Sequence, residues 1–134
     1  FRFSRPEDGA FNPAFPRNFA AISTEDVNTW MQQGRGAIVN NSSIGGVTGI
    51  ASSMAYAASK AALNSMINSF VVQLGDTGLT VLAMHPGWVK TDMGGENAHI
   101  DVDTSVRGLV DQVNAYTGKG GHHFIDYKGD TIAW

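Results

Sequence analysis

Short apolar runs typical of β-strands alternate in this chain with longer segments of helical periodicity, and this alternation constrains the fold most. The strand-like runs cover residues 36–41, 80–84 and 124–127. The helical segments between them cover 55–74 and 104–116. Because the first two runs are almost uniformly apolar, we expect strands buried on both faces. The alternation predicts an α/β fold with a short parallel sheet and right-handed crossovers.

The helix predicted over 55–74 shows the clearest pattern. Its apolar side chains recur every three or four residues, and Gly75 stands where a C-terminal cap is expected. This stripe consists of Leu63, Met66, Ile67, Phe70, Val71 and Leu74. The opposite side carries small, uncharged residues and predicts a second buried face: Ala58, Ala61, Ala62, Ser65, Ser69 and Val72. In the later helix we expect the inward residues to be Val106, Leu109, Val110 and Val113.

Two further segments complete the predicted organisation. Residues 1–21 hold three of the four prolines and no periodicity, so we expect a poorly ordered leader, followed by one domain over 22–134. Acidic residues after Ser23 and Thr24 indicate a helix start and predict a helix over 24–33.

Composition excludes several classes of function. A net charge of −3 offers no electrostatic footprint for nucleic acid or an anionic membrane. The absence of cysteine excludes thiolate chemistry and Cys-type zinc sites. The uncharged helical stretch within 61–76 is too short and polar to cross a membrane, and no signal-peptide pattern opens the sequence. We therefore expect a cytoplasmic protein.

Tyr56 and Lys60 are the residues most suggestive of chemistry. Four residues apart near a predicted helix start, they share one helix face. A nearby ammonium group favours the phenolate form of a tyrosine and so suits it to acid–base work. Ser43 precedes Tyr56 by thirteen residues and follows a predicted strand, so its hydroxyl can lie beside the phenol. The three side chains form a site for a carbonyl oxygen, to which a cofactor must supply the reductant.

Three motifs at matching intervals resemble the short-chain dehydrogenase/reductase family. They are Asn-Ser-Ser at 41–43, Tyr-x-x-x-Lys at 56–60 and Pro-Gly-x-Val-x-Thr at 86–91. The resemblance covers about 34–134. His-Pro-Gly-Trp-Val at 85–89 and the segment 124–134 are similar to the carbonyl-reductase-like branch that includes C-factor-type proteins.

The resemblance implies a partial Rossmann-like three-layer fold and reversible hydride transfer between NAD or NADP and a small carbonyl or alcohol substrate. In that reading Tyr56 is the general acid/base, Ser43 donates a hydrogen bond to the carbonyl oxygen, and Lys60 activates Tyr56.

The same resemblance implies where the cofactor lies. Tyr56 and Lys60 contact it, with Lys60 bound to the nicotinamide ribose. Four more residues hold the nicotinamide end: Pro86, Gly87, Val89 and Thr91. The helix covering 58–72 corresponds to a surface through which a homodimer forms, and the alternative is that the leader segment over 1–21 buries it.

Some parts of the family pattern are missing from the sequence. It has no glycine-rich turn for the pyrophosphate and no long helix with a catalytic asparagine, which leads us to expect a truncated chain with an internal deletion near 30–33. The alternative function is therefore a non-catalytic remnant or dimerisation module. The histidines show no metal-ligand spacing, so we expect no metal site: His85, His99, His122 and His123.

Overall fold

Three parallel strands and two helices make up most of the computed structural model, which describes residues 37–48 and 53–134. In chain order the elements are β1 (Ala37–Asn41), a short 3-10 helix (Ile44–Gly46), α1 (Met54–Leu74), β2 (Thr80–His85), α2 (Val102–Tyr116) and β3 (Gly121–Asp126). The predicted leader over 1–21 and the predicted helix over 24–33 lie outside the described residues.

The sheet has the order β1-β2-β3 with both pairings parallel. Ala37 pairs with Thr80, and Thr80 pairs with Gly121, so the carboxyl ends of all three strands lie at one edge. This confirms the predicted α/β fold with a short parallel sheet. β3 begins three residues before the predicted strand, because Gly121 continues the pairing with β2 despite its positive φ of 79°.

Burial on both faces is found in β2 but not in β1. Residues 80–84 of β2 are all buried, since β2 is the central strand. In β1 only Ile38 is buried, and the expectation for this strand was wrong. Val39 is 47% exposed because it lines a cleft of about 200 Å³ that separates β1 from Leu109 and Val110 of α2.

α1 packs against one face of the sheet and ends at Gly75, as predicted. The buried cluster on this face includes Ile67 and Leu74 of α1, Val81 of β2 and Phe124 of β3. Within the described part of the single chain, the predicted second buried face is not covered, and its burial against a second copy stays a prediction. Its members are exposed, and Val72 is 81% exposed.

α2 packs against the opposite face, where Leu109, Val113 and the ring of Tyr116 cover Leu82, Met84 and Ile125. The helix starts two residues before the predicted start, because the Asp101 side chain caps it by accepting a hydrogen bond from the Thr104 N–H. Val106 and Val110, predicted to face inward, are 49% and 52% exposed. The residue of α2 that is buried is instead Ser105.

No helix in the described part of the chain combines the length and apolarity that crossing a membrane requires.

Candidate active site

The carboxyl end of β1 runs directly into a tight turn that carries Ser43. The Ser42 N–H donates to the Met84 carbonyl at 2.8 Å, which extends the sheet pairing to the turn. Ser43 then caps the 3-10 helix, its Oγ accepting a hydrogen bond from the Gly45 N–H at 3.1 Å. Because this bond occupies an oxygen lone pair, the Ser43 hydroxyl hydrogen, which no group in 37–48 or 53–134 accepts, can donate to another group.

This turn packs closely on the second turn of α1. A Cβ atom on Gly46 would lie 2.6 Å from the Lys60 carbonyl carbon, so only glycine allows this approach of two backbones. The contact fixes the segment 43–46 against the part of α1 that carries Lys60.

Lys60 joins the end of β1 to Tyr56. Its Nζ donates to the Asn41 carbonyl at 2.9 Å and lies 5.8 Å from the centre of the Tyr56 ring. Both side chains project from the same face of α1, as the four-residue spacing predicts, and both residues are half-buried. Since an ammonium group carries three hydrogens, Lys60 retains donors beyond the one used by Asn41.

The Pro86–Gly87 turn follows β2 at the same edge of the sheet. Ser105 Oγ of α2 donates to the Pro86 carbonyl at 2.6 Å from a position where Ser105 is buried. Gly87 has a φ of +83°, and a Cβ there would lie 2.7 Å from Ile100 Cδ1. The turn therefore requires glycine, and the Ser105 hydroxyl holds it from α2.

The loop beyond this turn is closed by hydrogen bonds. Thr91 Oγ1 accepts from the Gly94 N–H at 3.1 Å, and Trp88 Nε1 donates to the Gly94 carbonyl at 2.8 Å. The Lys90 N–H donates to the Ile100 carbonyl at 2.8 Å, and Val89 forms a parallel bridge with Ile100. Val89 and Thr91 are thus held in a compact loop at the ligand edge.

His85, the last residue of β2, lies beside Asp126 in the register of β3. Burial lowers the pKa of His85 below its ordinary value, and the negative charge of Asp126 opposes that shift. His85 Nδ1 is buried without a hydrogen-bond partner among the described residues.

Two polar residues near the site, Asn64 and Ser105, were not identified from the sequence. Ser42 Oγ donates to Asn64 Oδ1, and both residues are buried. Asn64 follows Lys60 by one helical turn, and this spacing is the signal that could have identified it. Ser105 gave no such signal, because its partner Pro86 is distant in the sequence.

Among residues 37–48 and 53–134, no three His, Asp or Glu side chains lie close enough together to hold a metal ion.

The fold and site together define an α/β domain that carries a serine turn, a Tyr–Lys helix face and a Pro-Gly loop at the carboxyl edge of its parallel sheet. A family model for short chain dehydrogenases matches residues 8–101. The chain belongs to the short-chain dehydrogenase family.

Individual relatives agree with this assignment. The C-signal protein of Myxococcus xanthus is 39% identical over 80 residues, covering 60% of this chain and 48% of that protein. A putative short-chain dehydrogenase/reductase from Burkholderia multivorans with bound NADP superposes with a TM-score of 0.68 at 31% identity, covering 92% of this chain and 62% of the other. An NADPH-bound carbonyl reductase from chicken fatty liver gives a TM-score of 0.63 at 33% identity, covering 78% and 46%.

The matched regions span between about a quarter and a half of the curated relatives' length, at 48%, 26% and 38% for three of them.

Proposed function

We propose that this chain carries the catalytic residues of an NAD(P)-dependent oxidoreductase that transfers hydride reversibly to a small carbonyl compound. The observation that carries the proposal is the position of Lys60, whose Nζ contacts the Asn41 carbonyl at 2.9 Å and lies 5.8 Å from the Tyr56 ring centre. This single cation links the strand end that carries the serine turn to the phenol proposed to move the proton.

Each side chain of the set has one task. The Tyr56 hydroxyl gives a proton to the carbonyl oxygen during reduction and takes it back during alcohol oxidation. The Ser43 hydroxyl, whose oxygen already accepts from the Gly45 N–H, donates a hydrogen bond to the same carbonyl oxygen. The positive charge of Lys60 favours the phenolate that Tyr56 becomes after giving its proton.

The donors present suit the nicotinamide end of a dinucleotide. Lys60 keeps free ammonium hydrogens for ribose hydroxyls, and the Thr91 hydroxyl lies in a loop closed by its own hydrogen bonds. Pro86, Gly87 and Val89 give that loop its fixed path beside β2. When bound, the cofactor supplies the hydride.

NADP is the form we propose to test first, because two similar solved structures are described as binding NADP or NADPH. The substrate class we propose is a small aldehyde or ketone, since one of these relatives is a carbonyl reductase. We propose a cytoplasmic location, in keeping with this soluble cofactor.

The test begins with cofactor binding. We expect NADPH at about 1 mM to raise the melting temperature and to quench Trp fluorescence, because a ligand that binds only the folded state stabilises it. With NADPH and a panel of small aldehydes and ketones, we expect Tyr56→Phe to lower turnover by at least about 100-fold, since proton transfer contributes on that scale. We expect the same variant to bind NADPH with an affinity close to that of the wild type.

Tyr116→Phe is the matched control, since Tyr116 lies at the end of α2 with its ring against His123 at 4.7 Å between centroids. It should leave turnover unchanged. Absence of both the thermal shift and the quench would overturn the proposal and favour the non-catalytic dimerisation module. Turnover that survives Tyr56→Phe would remove Tyr56 from the mechanism.

A further inference from the structure

Two consecutive residues at the end of β1 are held by two side chains one helical turn apart on α1. Lys60 Nζ donates to the Asn41 carbonyl at 2.9 Å. One turn later, Asn64 Oδ1 accepts a hydrogen bond from the Ser42 hydroxyl. Because residues i and i+4 of a helix share one face, these two contacts form a continuous seam between α1 and the strand end that leads to Ser43.

The Ser42–Asn64 contact is shielded from water. Ser42 is 1% exposed and Asn64 is 5% exposed, whereas Asn68, one turn further along α1, is exposed. A hydrogen bond in such surroundings holds its partners in a defined position, because water cannot replace either of them. The Ser42 N–H is also fixed, by the Met84 carbonyl at 2.8 Å, so Ser42 is held through both its backbone and its side chain.

Within the described part of the chain, the Asn64 amide uses its oxygen but not its nitrogen in hydrogen bonds. Its Nδ2 is buried and has no hydrogen-bond partner among the described residues. Burying an unpaired amide nitrogen costs free energy that an apolar side chain would not. Stability alone therefore does not account for an asparagine here, whereas its oxygen has a defined use as the acceptor for Ser42.

We infer that Asn64 is a positioning residue: through Ser42 it fixes the turn that presents the Ser43 hydroxyl. Gly46 packs on the Lys60 carbonyl on the other side of this turn, so a loosened Ser42 would leave the turn attached to α1 without its buried side-chain hydrogen bond. The inference rests on the proposed function for the role of Ser43, but the order of the turn can be measured without turnover.

The first measurement is backbone hydrogen exchange at the Gly45 N–H, whose acceptor is Ser43 Oγ. In Asn64→Leu we expect this amide to exchange at least about tenfold faster than the change at the Leu82 amide in central β2 accounts for, because the turn opens locally whereas the Leu82 rate follows global stability. In Asn68→Leu, the exposed control on the same helix, both rates should match the wild type. Asn64→Asp retains an oxygen acceptor for Ser42 and should bring the Gly45 rate close to the wild-type rate.

The double variant Ser42→Ala/Asn64→Leu separates positioning from stability. Removing both polar partners leaves no buried group unpaired, so we expect its melting temperature to recover relative to Asn64→Leu. The Gly45 N–H should still exchange fast. In chains that turn over, kcat should stay at least about tenfold below the wild type with the KM for NADPH unchanged, because the nicotinamide loop is held separately.

Wild-type exchange at Gly45 in the double variant would overturn the inference, as would full recovery of kcat together with the melting temperature. If the wild-type chain neither binds NADPH nor turns over, the proposed function fails, and the exchange rates still decide the role of Asn64.

Discussion

Burial lowers the pKa of two histidines in the sheet, His85 and His122, below the ordinary value of 6.5. For His85 the charge of Asp126 acts in the opposite direction, whereas for His122 the neighbouring His123 lowers the pKa further. The His122 ring lies against Trp134, with centroids 4.4 Å apart. Each histidine also has one buried ring nitrogen without a partner in the described part of the chain.

These shifts predict a loss of stability at mildly acidic pH. With the folded pKa below the unfolded one, the unfolded chain takes up protons first as the pH falls. The stabilising contribution is therefore complete above an unfolded pKa of about 6.5 and is lost as the pH falls through the lower folded pKa. We expect the free energy of unfolding, measured in urea, to decrease from about pH 7.5 to about pH 5 and to decrease less steeply in His85→Gln/His122→Gln. An equally steep decrease in the double variant would contradict this assignment.

Residues of the site differ in how far the sequence could predict them. Ser43, Tyr56 and Lys60 stand at intervals that the motif defines, and the structure places them on the turn and helix expected to carry them. Their catalytic roles stay predictions. Ser105 could not be found in this way, because its importance arises from the Pro86 carbonyl, which only the folded chain brings to it.

At the scale of elements, hydrophobic periodicity predicted the helices better than their orientation. The bounds of α1 differ from the prediction by one residue, since the apolar stripe, apart from Met66 at 38% exposed, coincides with the face that packs. In α2 the face toward the rest of the chain includes small residues, Ser105 and Gly108, which a hydrophobic pattern does not count. Val106 and Val110 consequently lie outside the packed face.

Gly108 permits the close approach of α2 to the segment after β3. A Cβ at this position would lie 2.3 Å from the Tyr127 carbonyl oxygen. Glycine to alanine in a helix interior ordinarily stabilises by about 0.5–1 kcal/mol. We expect Gly108→Ala to destabilise instead, by about 1–3 kcal/mol, because α2 must move away from a backbone atom.

Asn114→Ala, at an exposed position on the same helix, is the control and should be neutral or slightly stabilising in urea unfolding. A stabilised Gly108→Ala would show that α2 moves at little cost.

At the scale of the whole molecule, the parallel sheet and its two flanking cores follow from the alternation of elements. The cleft beside Val39 does not, because its existence depends on how far α2 extends across the sheet. Hydrophobic periodicity shows which faces of a helix or strand are apolar enough to be buried. It does not show which of these faces a neighbouring element covers.

The exposed outer face of α1 bears on assembly. It extends from Ala58 to Val72, carries small uncharged residues and includes a valine that is 81% exposed. We predict that this face pairs with a second copy of the chain, since apolar surface without charge favours association. Val72→Lys should then shift the sedimentation coefficient from dimer to monomer. Val106→Lys, on the exposed side of α2, should leave it unchanged, and a wild-type chain that sediments as a monomer would refute the pairing.

The central place of β2 also determines how the chain reaches its native state. Its partners Ala37 and Gly121 are each on the order of forty residues away in sequence, so each pairing closes a long loop before it gains contacts. Such topologies fold slowly compared with helical proteins. The hydrogen bond from Ser42 to Met84 can form only after β1 has found β2, so the serine turn acquires its order late in folding, after α1 has begun to form from local contacts.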